Sequence, residues 1–483
     1  MSFHKVLFVL GLFLSITLLL LSSCAEEKIS PKEIPITTNS DEALKLFLKG
    51  RDMYDNLKTP QAAELFDKAI ALDKDFAMAY LYRANSGGGY KIYRENLSKA
   101  LDLLDKVTEG EKHLILYNNA DNSIEQKAKL DTILKLYPED KRVQDLAGNY
   151  YYVLQDYPNA LDHYKKSLEI DSDFASSYNS LGYIYMGMNN YADAEKSFKK
   201  YIELIPNEAN PYDSYAEFLL MQSRFDESIE QYNKANQTDP EFVTALIGIG
   251  NNYIFKKDFK KAREYYQQDF DKSFNINQKL GALWWKAVSY LHEGQTADAI
   301  KVFDERSKLA FENNFTTAGI TGYRFSGLIF ADKGNIKEAE KYLNKTSDFI
   351  KSSQLRDDDR KAFEINNDLD RIYIQTLKKD IKGAEKGLQA LKQVIVKRQS
   401  TTEIVYLNFI TGFLQFQKGN SKLALQHFQK TGEGNPYTWY WEAVAKEKIG
   451  DKQAANALYK KISNYNANSA LLALVREKAK SKM

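Results

Sequence analysis

The strongest constraint on this chain is a repeat in its central part, with a period of about 34 residues. Gly148 and Gly182 stand one period apart, and Gly250 follows two periods later with Ala216 in the slot between them. Three further columns keep this spacing: Tyr151, Tyr185, Leu219 and Tyr253; Ala160, Ala194, Ser228 and Ala262; Tyr164, Phe198, Tyr232 and Tyr266. Such a period indicates a solenoid, in which each unit is a pair of amphipathic helices that buries its apolar side against its neighbours.

The residue types in the columns indicate how each unit packs. Glycine or alanine is expected where the two helices of a unit cross closely, and the aromatic column fills the space beside that crossing. Pro206 and Pro240 predict the ends of two second helices, because proline cannot continue a helix.

The units resemble tetratricopeptide repeats (TPR), whose pattern is W-x2-L-G-x2-Y, then A-x3-F, then P. The unit over 175–208 fits best, through Tyr178, Leu181, Gly182, Tyr185, Ala194, Phe198 and Pro206. The resemblance implies an all-α fold, an α-solenoid of about ten to twelve TPR-like helix pairs that forms a right-handed superhelix.

The repeat pattern and the N-terminal sequence together predict the organisation of the chain. The predicted parts are a lipoprotein signal peptide (1–23), a lipidated Cys with a flexible tether (24–40), N-terminal degenerate TPR units (41–140), four consecutive well-matched units (141–276), C-terminal degenerate units (277–477) and a basic tail (478–483). The sequence leaves open whether 77–112 and 345–400 form regular units.

The N-terminus resembles that of a bacterial lipoprotein. An apolar run from Val6 to Leu21 is followed by Ser-Ser-Cys, similar to a lipobox that ends at Cys24. The length and position of the run favour a signal peptide over a spanning helix. Cys24 is the only cysteine, so no internal disulfide is available, and lipidation accounts for it. An uncleaved membrane anchor and an ordinary signal peptide with a chance cysteine are the alternatives.

The lipobox resemblance implies a place in the bacterial cell envelope. The residue after Cys24 is Ala25 and not the aspartate associated with inner-membrane retention, which favours the outer membrane. Glu26 and Glu27 resemble a surface-export signal, and they equally suit a solvated linker. The face of the membrane, periplasmic or cell surface, stays open.

Composition and motifs exclude several functions. Basic and acidic side chains number 67 and 65, and this near-balance argues against nucleic-acid binding. The histidines are scattered, so neither a metal site nor a catalytic site is predicted, and no cofactor motif occurs. The glycine cluster at 86–89 lacks the Lys-Ser/Thr of a phosphate loop, and Asp357 to Asp359 are expected to start a helix. We therefore expect a protein that is not an enzyme.

The resemblance also implies a concave groove lined by the first helix of each unit. Side chains off the packing columns face this groove, and the predicted partner-binding residues are Arg142, Asp145, Asn149, Asn179, Tyr183, Asn210, Asp213, Glu217 and Asn251. The acidic members exclude the carboxylate clamp of the chaperone-binding branch of the family. The asparagines offer both a donor and an acceptor to a peptide. Alternatively, these residues are only solvated.

Three functions follow from these observations. The leading interpretation is a non-enzymatic, membrane-anchored TPR lipoprotein that binds a protein or peptide as a scaffold in the cell envelope. The second is a glycan-binding outer-membrane lipoprotein with TPR-like helices, in which Trp284, Trp285, Trp439 or Trp441 provides a sugar platform. The third is an enzyme hidden in 77–112 or 345–400, which are short for a catalytic domain. The sequence names neither the partner nor the oligomeric state.

Overall fold

The fold consists of helices joined by short turns. In this computed structural model, residues 32–87, 89–120, 122–432 and 434–483 are described, and within them no strand occurs. The chain divides into two compact units, Met1–Pro206 (unit 1) and Asn207–Met483 (unit 2). Each unit is described by itself below.

Unit 1 is a series of helix pairs. The described part of unit 1 contains α1 (Asp41–Asp55), α2 (Thr59–Leu72), α3 (Ala77–Asn85), α4 (Tyr90–Leu101), α5 (Glu109–Asn119), α6 (Ser123–Leu136), α7 (Lys141–Val153), α8 (Tyr157–Ile170), α9 (Ala175–Gly187) and α10 (Tyr191–Leu204). Each odd-numbered helix packs against the even-numbered helix that follows it.

Unit 2 continues the series and ends with an unpaired helix. Its described part contains α11 (Ala209–Met221), α12 (Phe225–Thr238), α13 (Thr244–Phe255), α14 (Phe259–Lys272), α15 (Ile276–Glu293), α16 (Thr296–Glu312), α17 (Thr316–Asp332), α18 (Ile336–Ser352), α19 (Asp357–Leu377), α20 (Ile381–Arg398), α21 (Thr401–Gln417), α22 (Ser421–Phe428), α23 (Pro436–Lys448), α24 (Lys452–Asn464) and α25 (Ala470–Lys480). A short 3-10 turn, Gln429–Thr431, follows α22.

The all-α solenoid prediction is confirmed in the described residues. They hold twelve helix pairs and the single helix α25, which agrees with the expected ten to twelve pairs. The four units predicted over 141–276 are the pairs from α7 to α14. The stretches 77–112 and 345–400, whose regularity the sequence left open, contain helices of the same series.

The glycine column lies where the two helices of a unit cross. A Cβ placed on Gly148 would come within 2.7 Å of the Tyr164 ring, and one on Gly182 within 2.5 Å of the Phe198 ring. The offset from glycine to ring is the same in both pairs, and both rings are buried. At these two positions the aromatic ring leaves no room for a Cβ, so the two helices cross closely there, as the sequence predicts.

A residue with positive φ ends the first helix of each well-matched unit. These residues are Gln155 (φ 59°), Asn189 (59°), Ser223 (63°) and Lys257 (62°), and they again stand one period apart. The amide after each donates back to the carbonyl of the tyrosine or leucine column, as from Asn190 to Tyr185 at 2.8 Å. This 6→1 bond is a Schellman cap, and it sets the tight turn into the second helix.

The segment before α1 is packed against unit 1. Ile34 is buried between α6 and α7, and its N–H donates to Asp140 at 2.9 Å. The amide and hydroxyl of Thr37 donate to Glu111 at 2.7 and 2.6 Å. The prediction of a flexible tether over 24–40 is therefore wrong for its described part, because these carboxylates fix the segment to the starts of two helices.

The prediction of a basic tail over 478–483 also needs correction. Helix α25 runs through Lys478, whose Nζ lies 2.8 and 2.9 Å from the carboxylate oxygens of Asp332 on α17. The Asp332 side chain is only 3% exposed. Lys478 is thus held by a buried counter-charge and does not belong to a solvated tail.

The described part of the chain contains no helix that is both long and apolar enough to span a bilayer. The predicted signal peptide, Cys24 and residues 25–31 lie outside the described residues.

Candidate functional site

In unit 1, two of the predicted groove residues belong to an internal charged cluster. Arg142 donates to Asp55 on α1 at 2.8 Å and approaches Glu33 at 3.4 Å. Asp145 accepts from Ser177 Oγ at 2.9 Å, and burial raises the pKa of its carboxyl to about 7. Arg142 therefore joins α1, α7 and the segment before α1, which is a structural role that the repeat pattern did not predict.

The other predicted residues of unit 1 lie beside the packing columns. Asn149 is exposed and accepts a hydrogen bond from Tyr164 at 2.9 Å. Tyr183 packs edge-on against Phe198, with ring centroids 5.2 Å apart. Asn179 is half-buried, and its Oδ1 has no hydrogen-bond partner among the described residues. This oxygen is itself buried, so the Asn179 side chain would have to move before a bound polypeptide could donate to it.

In unit 2, three predicted residues follow one face of α11. Asn210 and Asp213 are half-buried, and Glu217 is exposed. Burial and the neighbouring Glu217 carboxylate raise the pKa of Asp213 to about 7. This end of α11 is acidic and suits a partner that brings donors or cations.

Asn251, the last predicted groove residue, binds another part of the same chain. Its Oδ1 accepts from Tyr266 at 2.8 Å and from the side-chain amide of Asn468 at 2.8 Å. The Oδ1 of Asn468 lies 2.9 Å from Nε2 of His292 on α15. Burial lowers the pKa of His292 to about 4, so its ring is neutral at pH 7 and donates to the amide oxygen. Two first helices thus hold a polypeptide side chain between them.

A second asparagine of the same stretch binds to the end of α11. The amide nitrogen of Asn466 donates to the carbonyl of Leu220 at 3.3 Å and to Ser223 Oγ at 2.8 Å. Its Oδ1 accepts from Arg476, whose guanidinium lies over the Phe255 ring at 4.5 Å. We call residues 465–480 the α25 segment. The surface that holds this segment, here called the unit 2 groove, comprises Leu220, Asn251, Phe255, His292 and Asp332.

Helix α25 itself packs against α15, α23 and α24. Leu472, Val475 and Ala479 are fully buried on one side of it. On its charged side, Lys478 and the hydroxyl of Tyr437 share the Asp332 carboxylate, with Tyr437 at 3.0 Å. The α25 segment is therefore bound by an apolar stripe together with side-chain hydrogen bonds from first helices.

A cavity of about 380 Å³ lies beside α25. Leu471 and Leu474 of α25 line it together with Phe325, Tyr406 and Phe409. The cavity is lined mainly by apolar atoms and lies within unit 2. Helix α25 therefore lines this cavity on the side that carries Leu471 and Leu474.

The other chemical candidates from the sequence have structural surroundings. Trp284 packs between Phe303 and Phe325, and Trp439 is buried, so neither is an open sugar platform. Asp357 to Asp359 form the first turn of α19 as expected. Within the described residues, no group of histidine, cysteine or carboxylate side chains could hold a metal ion.

Sequence reasoning missed most of the unit 2 groove. His292 and Asp332 lie at the ends of the first helices of degenerate units, and Phe255 was assigned no role. All three residues share a position, because each is the last or the next-to-last residue of a first helix. That position was a usable signal, but the residue types change from unit to unit and leave no column at the repeat period.

Comparison with known protein families supports this architecture. The family described as a TPR repeat matches residues 148–189, and the family described as a tetratricopeptide repeat matches 175–208 and 243–268. With the helix pairs described above, the chain is an all-α helical-repeat solenoid. It contains tetratricopeptide repeats over the matched residues, and this supports a protein-binding scaffold. No curated protein matches the sequence.

Several solved structures are similar to part of the chain. PilW, described as a widely conserved type IV pilus biogenesis factor, is 20% identical over 44% of this chain and 95% of that chain, with a TM-score of 0.34. YrrB, described as a TPR protein with an unusual peptide-binding site, is 23% identical over 46% of this chain and 98% of that chain, with a TM-score of 0.27. MamA is 22% identical over 36% of this chain and 93% of that chain, with a TM-score of 0.28. Similarities of this size do not extend to a function.

Proposed function

We propose that this protein is a non-enzymatic scaffold that binds a polypeptide partner along the first helices of its TPR units. The observation that carries the proposal is the hydrogen bonding of Asn468 to Asn251 and His292. Asn251, a predicted groove residue, accepts a hydrogen bond from the side chain of Asn468, which lies in a non-helical stretch of polypeptide. Peptide binding in such a groove requires hydrogen bonds of this kind.

The acidic end of α11 favours a partner that carries positive charge. Glu217 is exposed, and Asp213 has a pKa raised to about 7 by burial and by Glu217, so added cations are favourable there. Tyr465 lies close enough to Glu217 for that carboxylate to raise the pKa of its phenol, after the larger effect of burial. The start of the α25 segment therefore lies near the acidic residues of α11.

Reversing the charge at Glu217 is expected to weaken partner binding about tenfold. The test is affinity capture from detergent-solubilised envelope with the full chain, the Glu217→Lys variant and a control, Glu264→Lys. Glu264 is exposed on the second helix α14 and makes the same charge change away from the groove. Equal recovery of a stoichiometric protein by all three chains, or glycan binding without a protein partner, would contradict the proposal.

We further propose that Cys24 carries acyl chains that hold the protein in the cell envelope, at the outer membrane. The support is the lipobox-like sequence around the single cysteine. More than one acyl chain gives stable anchoring, at about 0.8 kcal/mol for each buried CH2. A Cys24→Ala variant should move from the membrane to the soluble fraction and lose incorporation of labelled palmitate, whereas Ser23→Ala should remain bound. Retention of Cys24→Ala on the membrane would refute the anchor.

A further inference from the structure

The α25 segment occupies the unit 2 groove, and its contacts indicate which chemical groups the groove binds. The stretch before α25 presents two asparagines, Asn466 and Asn468, and each is bound through its side-chain amide by a first helix or the turn after it. Asn466 is only 2% exposed. These contacts are made to side chains and not to the backbone of the segment, so the surface discriminates between polypeptide sequences.

The charges of the occupant and of the surface are complementary. Residues 470–483 carry four cationic side chains, Arg476, Lys478, Lys480 and Lys482, against the one carboxylate of Glu477. Asp332 is buried beneath Lys478, and Glu447 faces Lys482 at 3.1 Å. A buried carboxylate such as Asp332 requires a cation from whatever helix lies on it.

Three observations separate α25 from the framework of the solenoid. It is the one helix outside the twelve pairs of the described residues, although its buried apolar side chains join the core of unit 2. Its Leu471 and Leu474 line a cavity of about 380 Å³, so this side of α25 borders open space. The Lys482–Glu447 ion pair is 41% exposed on both sides and contributes little to stability.

We propose that the unit 2 groove recognises a basic amphipathic helix preceded by a non-helical stretch with two amide side chains, and that the α25 segment occupies it as an internal competitor of such a partner. This rests on the proposed function and names the class of its partner. Apolar side chains larger than Leu471 and Leu474 fit the cavity and give the external polypeptide its advantage over α25.

The test uses the full chain and a fluorescein-labelled synthetic peptide of residues 464–483. An Asn468→Ala/Lys478→Ala double variant loses the contacts to Asn251, His292 and Asp332, so its own segment competes less well. Fluorescence anisotropy should show the peptide binding at least tenfold more tightly to this variant than to the wild type. The matched control is Asn464→Ala/Lys480→Ala, because Asn464 is exposed and Lys480 pairs only within α25, with Glu477.

Hydrogen exchange distinguishes release of α25 from loss of the fold. In the double variant, amides of 470–480 should exchange faster while those of 209–332 stay protected. Equal peptide affinity for all three chains would overturn the proposal, and so would faster exchange throughout 209–332, which would make α25 part of the core. The peptide assay needs no envelope partner, so it can be interpreted even if affinity capture recovers none. A negative peptide assay likewise leaves the affinity capture interpretable.

Discussion

Replacing Gly250 by alanine should lower the free energy of unfolding of unit 2 by about 2 kcal/mol. The new Cβ would lie 2.4 Å from Cε1 of Tyr266, well inside contact distance. Tyr266 is fully buried and its hydroxyl is bonded to Asn251 at 2.8 Å, so the ring cannot swing aside. Urea unfolding followed by tryptophan fluorescence measures this change, because all four tryptophans lie in unit 2.

The matched control is Gly281→Ala on α15. A Cβ at Gly281 meets nothing within 4 Å. Alanine in a helix interior is favoured over glycine by roughly 0.5–1 kcal/mol, so this variant should be slightly more stable than the wild type. If both variants shift the urea midpoint in the same direction, the close crossing of α13 and α14 is not what selects glycine at 250.

The same crossing explains why the fold was predictable from the sequence. Gly148, Gly182 and Gly250 are each constrained by a ring at the same offset later in the same unit, so the sequence repeats the constraint in three of the four well-matched units. The left-handed turn residues escaped notice, because Gln155 and Lys257 share no residue type that marks a positive φ. Their conformation follows from the Schellman bond and not from side-chain preference.

The candidate site was less predictable, for a physical reason. Asn251 was found because it belongs to a column, but its partner Asn468 is 217 residues away and has no equivalent in other units. Arg142 belongs to a column as well, yet its ion pair with Asp55 turns it into a structural residue. Residues 32–40 have the composition of a linker, but carboxylates far along the chain, among them Asp73, Glu111 and Asp140, accept hydrogen bonds from them.

Replacing Arg324 by alanine should cost unit 2 about 3–5 kcal/mol of stability. Arg324 donates through Nε and Nη2 to Asp370, with Nη2 at 2.9 Å, and Tyr406 donates to the same carboxylate. Asp370 is completely buried, so without Arg324 its charge has no counter-ion in direct contact. The matched control is Arg356→Ala, because Arg356 makes a similar two-bond pair with Asp359 at the surface, worth about 0–1 kcal/mol.

The pH dependence identifies the buried charge as the cause of this loss. Burial raises the pKa of Asp370, and Arg324 opposes that rise, so the Arg324→Ala variant should hold the Asp370 proton to a higher pH when folded. The folded variant then binds more protons than the unfolded chain, and its stability falls as pH rises. Urea midpoints should therefore show a larger deficit at pH 8 than at pH 5. A deficit of equal size at both values would mean that lost packing of the Arg324 side chain, and not the isolated carboxylate, accounts for the effect.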